Sequence, residues 1–112
     1  MYEFSVGHDK TKVDYKVDFI GNDVDITICG GKSHIGSVVL ISNNSYTLIN
    51  VPNHREDEML KAFISRFRKC DKYTILIKAG FHLDNIRIDE INEVMSNNQK
   101  AVQIIYEYLE SL

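Results

Sequence analysis

The sequence predicts an α+β domain in which helices pack against one face of a mostly antiparallel sheet. Two observations lead to this class. Apolar and polar residues alternate along the first half of the chain, with the period of half-buried strands. After Pro52 the apolar residues recur at helical spacing, and an apolar strand and further helical segments follow. A run of strands followed by helices is typical of α+β folds.

The first half of the chain contains the predicted strands. "KVDYKVDFI" alternates apolar with charged residues, and "VDITIC" alternates again after the turn "GND", which predicts a hairpin. "IGSVVLIS" is more continuously apolar and predicts a central strand, and "YTLINV" follows it after "NNS". The predicted meander comprises residues 13–19, 24–29, 35–42 and 46–51, with residues 2–6 as an added edge strand.

The second half contains the predicted helices. Apolar residues at helical spacing predict an amphipathic helix over residues 54–69, and Asn53 with Glu56 resembles a capping box at its start. "YTILIKA" predicts a buried strand over residues 73–79, reached by a helical crossover. The last segment is helical, and we expect "SNN" at 96–98 to divide it into a short helix and a longer one.

Length, charge and cysteine content restrict the class of protein. The 112 residues predict a single domain over 1–112, and a net charge of −3 without a concentrated basic face disfavours a nucleic-acid binder. No secretion signal is apparent, and no apolar run approaches the about 20 residues that span a bilayer. Cys29 and Cys70 provide no disulfide framework. We therefore expect a cytoplasmic protein that does not bind membranes.

The segment "CGGKSHIG", residues 29–36, allows several interpretations. It is not a P-loop, because that motif requires a glycine where Ile26 stands and a helix where a strand follows. Cys29 with His34 could form a nucleophilic pair, although no third orienting residue is evident. Consecutive amides of Gly30 and Gly31 could bind an anion, or the glycines could simply permit a tight connection.

The predicted topology brings distant histidines to one edge of the sheet. The strand ending at residue 29, the strand starting after His34 and the strand ending before His54 all meet there. If the helix is a crossover, the strand over 73–79 runs parallel to the strand over 46–51, and His82 reaches the same edge. His8 could join this group. Loops at strand ends commonly carry binding groups, so we expect a shared site.

A metal site at this edge would use His34, His54, His82 and Asp84 as ligands. The short histidine spacings that preform metal sites are not present, so the sequence does not favour a metal. Each histidine could also have a purely structural role, such as bonding a loop backbone.

Three motifs together resemble a known family. "GGKSHIGSVVL", "NVPNHREDEMLKAF" and "ILIKAGFHLDNIRIDEINEV" are similar to the LpdD-like prenylated flavin chaperone family, which includes the small D subunit of gallate decarboxylase. The resemblance covers about residues 13–112 and implies a fold similar to that of proteasome assembly chaperones. The cofactor-binding residues that it implies are Gly30, Gly31, His34, Gly36, His54, Gly80, His82, Asp84 and Asn85.

The resemblance also implies a function. It indicates a small non-enzymatic accessory protein, working as a homodimer, that helps a prenylated-flavin-dependent aromatic-acid decarboxylase to acquire or keep its cofactor. The expected ligand is prenylated FMN or FMN, and the expected partner is the decarboxylase. Two alternatives stay open: a protein-interaction module without a small ligand, and a small metal-dependent enzyme that uses the same histidines.

Overall fold

The computed structural model describes residues 1–112 and confirms the α+β class. Six strands form one mixed sheet, and two helices cover one of its faces. The elements are β1 (Tyr2–Val6), β2 (Val13–Ile20), β3 (Asp23–Gly31), β4 (Ser37–Ser42), β5 (Ser45–Asn50), α1 (Asp57–Phe67), β6 (Ile75–His82) and α2 (Ile88–Glu110).

The strand order is β1-β2-β3-β6-β4-β5, so β6 interrupts the predicted run of neighbouring strands. The hairpins β2–β3 and β4–β5 are antiparallel as predicted, and β1 is an edge strand. β6 lies between them, parallel to β3 and antiparallel to β4. β6 thus has the direction of β5, as expected, but does not pair with it. This insertion forces the β3–β4 connection to pass over the end of β6.

The core lies between the sheet and the helices. Alternate residues of the strands face the helices and are buried, including Tyr15, Ile26 and Ile77. Phe63 of α1 and Ile105 of α2 pack on the same cluster. The opposite face of the sheet has no helix on it and contains the charged positions of β2 and β3. Neither helix is long and apolar enough to cross a membrane.

The predicted start of the first helix is wrong. α1 begins at Asp57 rather than near residue 54, and no side-chain hydrogen bond caps it. Asn53 has a left-handed backbone (φ +67°), so the chain turns there before the helix begins. The predicted capping box of Asn53 and Glu56 is therefore absent, and the Glu56 carboxylate is directed elsewhere.

The predicted break in the last helix is also wrong. α2 is continuous through residues 96–98, and Asn97 and Asn98 are buried within it. The Asn98 amide donates to the Met59 carbonyl oxygen at 2.9 Å, and its Oδ1 accepts from the Tyr15 hydroxyl at 2.8 Å. These tertiary partners outweigh the low helix propensity of asparagine.

Candidate functional site

The segment over residues 29–36 crosses the end of β6 to join β3 to β4. Its backbone is fixed there by two hydrogen bonds of 2.9 Å, from Lys32 N–H to the His82 carbonyl and from Gly36 N–H to the Ala79 carbonyl. Gly31 has φ +58°, which favours glycine at the turn. The segment is therefore a close-packed strand crossing that holds His34 above the end of β6.

Glycines allow this crossing to lie against its neighbours. A Cβ at Gly80 would fall on the His34 carbonyl oxygen, and one at Gly36 would fall on the Glu56 carboxylate. A Cβ at Gly31 would meet the backbone of β6, and one at Gly30 would meet the Phe81 ring. Close packing therefore explains why glycine stands at each of these four positions. Their direct contact with a cofactor stays a prediction.

Three of the four histidines meet at this edge, as the topology predicted. The ring centroids of His34 and His54 are 4.7 Å apart, and those of His34 and His82 are 6.3 Å apart. The fourth, His8, lies in the β1–β2 connection, and no ring contact joins it to the other three. We call His34, His54, His82, Glu56, Asp84 and Lys32 the histidine rim.

One part of the rim is an exposed ion-pair network. The Lys32 ammonium donates to Asp84 Oδ2 at 2.6 Å, and His82 Nε2 lies 2.9 Å from Asp84 Oδ1. The hydrogen bond from Lys32, followed by that with His82, lowers the pKa of Asp84. Asn85 has a left-handed backbone (φ +55°) in the turn after Asp84, and its predicted role in binding is not tested by the geometry.

The other part of the rim is more buried and contains Glu56. Its Oε1 lies 3.2 Å from Nε2 of His34 and 3.6 Å from Nδ1 of His54. Sequence reasoning missed Glu56 as a site residue because its spacing from Asn53 resembled a cap. The signal that could have found it is its position two residues after His54, where a carboxylate can join an imidazole.

An apolar cleft of about 280 Å³ adjoins the rim. It lies between the start of α1, the end of β6 and the first turns of α2, and seven of its ten lining residues are hydrophobic. Arg55, Glu56 and His82 form its polar edge. An apolar cleft with a few convergent polar groups is the usual form of a small-molecule site.

The family model of the prenylated flavin chaperone LpdD-like domain matches residues 7–110. The chain belongs to this family. The match spans both the histidine rim and the apolar cleft, and it extends the resemblance of residues 13–112 towards the N-terminus. Membership indicates an accessory, chaperone-type role connected with prenylated flavin. No curated protein matches the chain.

Proposed function

We propose that the protein holds prenylated FMN, or FMN, at the apolar cleft and passes it to a flavin-dependent aromatic-acid decarboxylase. The observation that carries this proposal is the apolar cleft beside the histidine rim in a member of the prenylated flavin chaperone family. The cleft would accept the apolar prenyl-derived ring, and Arg55 at its edge would attract the phosphate.

The size of the cleft suits temporary holding. Sites that enclose a drug-sized ligand have volumes of about 300–1,000 Å³, and the cleft, at about 280 Å³, lies below this range. It would cover one part of the flavin and leave the rest accessible. A partner enzyme could then bind the exposed part of the flavin before this protein releases the flavin.

Introducing a charge into the cleft is expected to weaken flavin binding. Ile91 lines the cleft, and Ile91→Asp should raise the Kd for reduced prenylated FMN about tenfold or more, because the carboxylate is desolvated on binding and repels the phosphate. Anaerobic titration followed by flavin absorbance measures this. Ile88→Asp is the matched control, since Ile88 is on the same helix, 77% exposed and outside the cleft.

The outcome of the flavin titration also tests the rim. Wild-type affinity in both Ile91→Asp and the double variant His34→Ala/His82→Ala would contradict flavin binding at this place. A wild-type protein that co-purifies with a partner from its native cells, yet binds neither FMN nor its prenylated form, would favour an assembly module like the proteasome assembly chaperones.

We also propose a homodimer formed at the β4–β5 end of the sheet. β5 pairs only with β4, which leaves its outer edge free to pair with another strand. Leu40 and Ile49 are exposed on the uncovered face there, and Val51 is exposed just beyond β5. A second copy would cover the same surface in a two-fold symmetric contact.

Ile49→Lys is expected to shift the protein from dimer to monomer. The lysine would place a charge in the apolar contact, and light scattering after size exclusion should then give the chain mass of 12.9 kDa rather than twice that value. Ile20→Lys is the matched control, because Ile20 is 65% exposed, similar to Ile49 at 62%, but lies on β2. If both variants keep twice the chain mass, the dimer contact lies elsewhere on the protein.

A further inference from the structure

Three donor atoms of the rim have the spacing of a metal centre. Nε2 of His34 lies 3.1 Å from Nδ1 of His54 and 3.2 Å from Oε1 of Glu56, and the last two atoms are 3.6 Å apart. Around a tetrahedral zinc ion with bonds of about 2.0–2.1 Å, neighbouring donor atoms lie about 3.3 Å apart. One cation bound by all three side chains therefore fits this triangle.

The hydrogen bonds of His34 leave a lone pair facing a carboxylate. Nδ1 of His34 lies 2.9 Å from the Lys32 carbonyl oxygen, and because a carbonyl only accepts, this nitrogen carries a proton. In the neutral ring, Nε2 is then an acceptor, and it faces Oε1 of Glu56, another acceptor when ionised. Nδ1 of His54 is the third atom beside this pair, and a metal ion between the three would be bonded by all of them.

Glu56 itself needs a positive partner. Its side chain is only 9% exposed, its Oε2 has no hydrogen-bond partner, and the carboxylate lies against Gly36, where a Cβ would displace it. A buried carboxylate without a compensating charge is costly. Arg55, the neighbouring cation, instead lies near Asp57 and Glu58. The imidazoles are thus the groups with which Glu56 could share a cation.

We propose that His34, His54 and Glu56 bind one divalent transition-metal ion of the zinc class. Two imidazole nitrogens and one carboxylate oxygen suit Zn²⁺ and Fe²⁺, and three protein ligands leave a coordination position open. The Lys32 carbonyl would orient His34 as outer groups orient metal-bound histidines. This departs from the sequence expectation, which disfavoured a metal, and replaces His82 and Asp84 by Glu56 as the third ligand.

Zinc titration of the untagged protein tests the proposal. After treatment with a chelator and dialysis, the wild type should bind one Zn²⁺ per chain in calorimetry with ZnCl₂. Loss of a group that only hydrogen-bonds a metal ligand weakens metal binding about 10–100-fold. Loss of a ligand itself should cost more, so His34→Ala, His54→Ala and Glu56→Gln should each weaken zinc binding about 100-fold or more. His8→Ala and Glu58→Gln are matched controls, and both should keep the wild-type affinity. Circular dichroism confirms that each variant is folded.

Imidazole NMR gives a second readout on the wild type alone. Long-range ¹H–¹⁵N spectra with one equivalent of Zn²⁺ should fix His34 with its proton on Nδ1 and His54 with its proton on Nε2, since the metal takes the other nitrogens. Unchanged His34 and His54 signals, or zinc binding retained in the three ligand variants, would overturn the proposal. No flavin is present in either measurement, so failure here leaves the proposed flavin binding unaffected.

Discussion

Replacing Gly80 by alanine is expected to lower the free energy of unfolding by about 3–5 kcal/mol, which is exceptional for one methyl group. Gly80 is buried in β6 beneath the crossing segment, and its Cβ would collide with the carbonyl oxygen of His34. The segment cannot simply lift away, because backbone hydrogen bonds from Lys32 and Gly36 hold it to β6. The substitution must break these bonds or displace the strand.

Urea unfolding followed by circular dichroism measures this loss. A domain of this size has a total stability of about 5–15 kcal/mol, so Gly80→Ala should remove a large part of it. Gly21→Ala is the control, because Gly21 has φ +61° but no atom within 4 Å of its added Cβ. It should cost only the about 1–2 kcal/mol of a left-handed backbone. Equal losses in the two variants would show that the crossing is not tightly packed.

Most of the sheet was predictable because strand alternation is a local signal. Residues 13–19 and 24–29 alternate clearly, and they form the β2–β3 hairpin with Asp14 opposite Cys29. The place of β6 was not predictable in this way. β6 enters between β3 and β4 through pairings with residues 34–51 positions earlier in the chain. No local pattern near residue 75 selects these partners over the free edge of β5.

The site was predictable in part, because the strands that carry it were themselves predictable from local patterns. Strand directions alone placed His34, His54 and His82 at one edge of the sheet, and their ring contacts confirm this grouping. The role of Glu56 depends on where α1 begins, and the ends of helices are among the features that a sequence predicts least well. A helix start three residues later releases its carboxylate from the helix end and directs it to the histidines.

Asn98→Ala is expected to lower the free energy of unfolding by about 3 kcal/mol. It removes two buried hydrogen bonds, leaves the Tyr15 hydroxyl without its partner, and opens a small cavity. Asn92→Ala, on an exposed position of α2, should stay within about 0.5 kcal/mol of the wild type. A loss that small for Asn98→Ala would contradict its role in holding α2 against Tyr15 and the Met59 carbonyl.

The burial of the Tyr15 hydroxyl should also appear in the pH dependence of stability. Burial raises the pKa of the Tyr15 hydroxyl above its usual value of about 10, so the folded protein holds this proton more tightly than the unfolded chain does. The stability that the protonated Tyr15 hydroxyl contributes is fully present below pH about 10. It is lost as the pH rises from there towards the higher pKa of the folded state. Urea unfolding at pH 8 to 11 should therefore show a steeper alkaline decline for the wild type than for Tyr15→Phe. Parallel curves would mean that the hydroxyl is accessible to solvent. The double variant Tyr15→Phe/Asn98→Ala should lose less free energy of unfolding than the sum of the two single variants, because each substitution removes the same hydrogen bond.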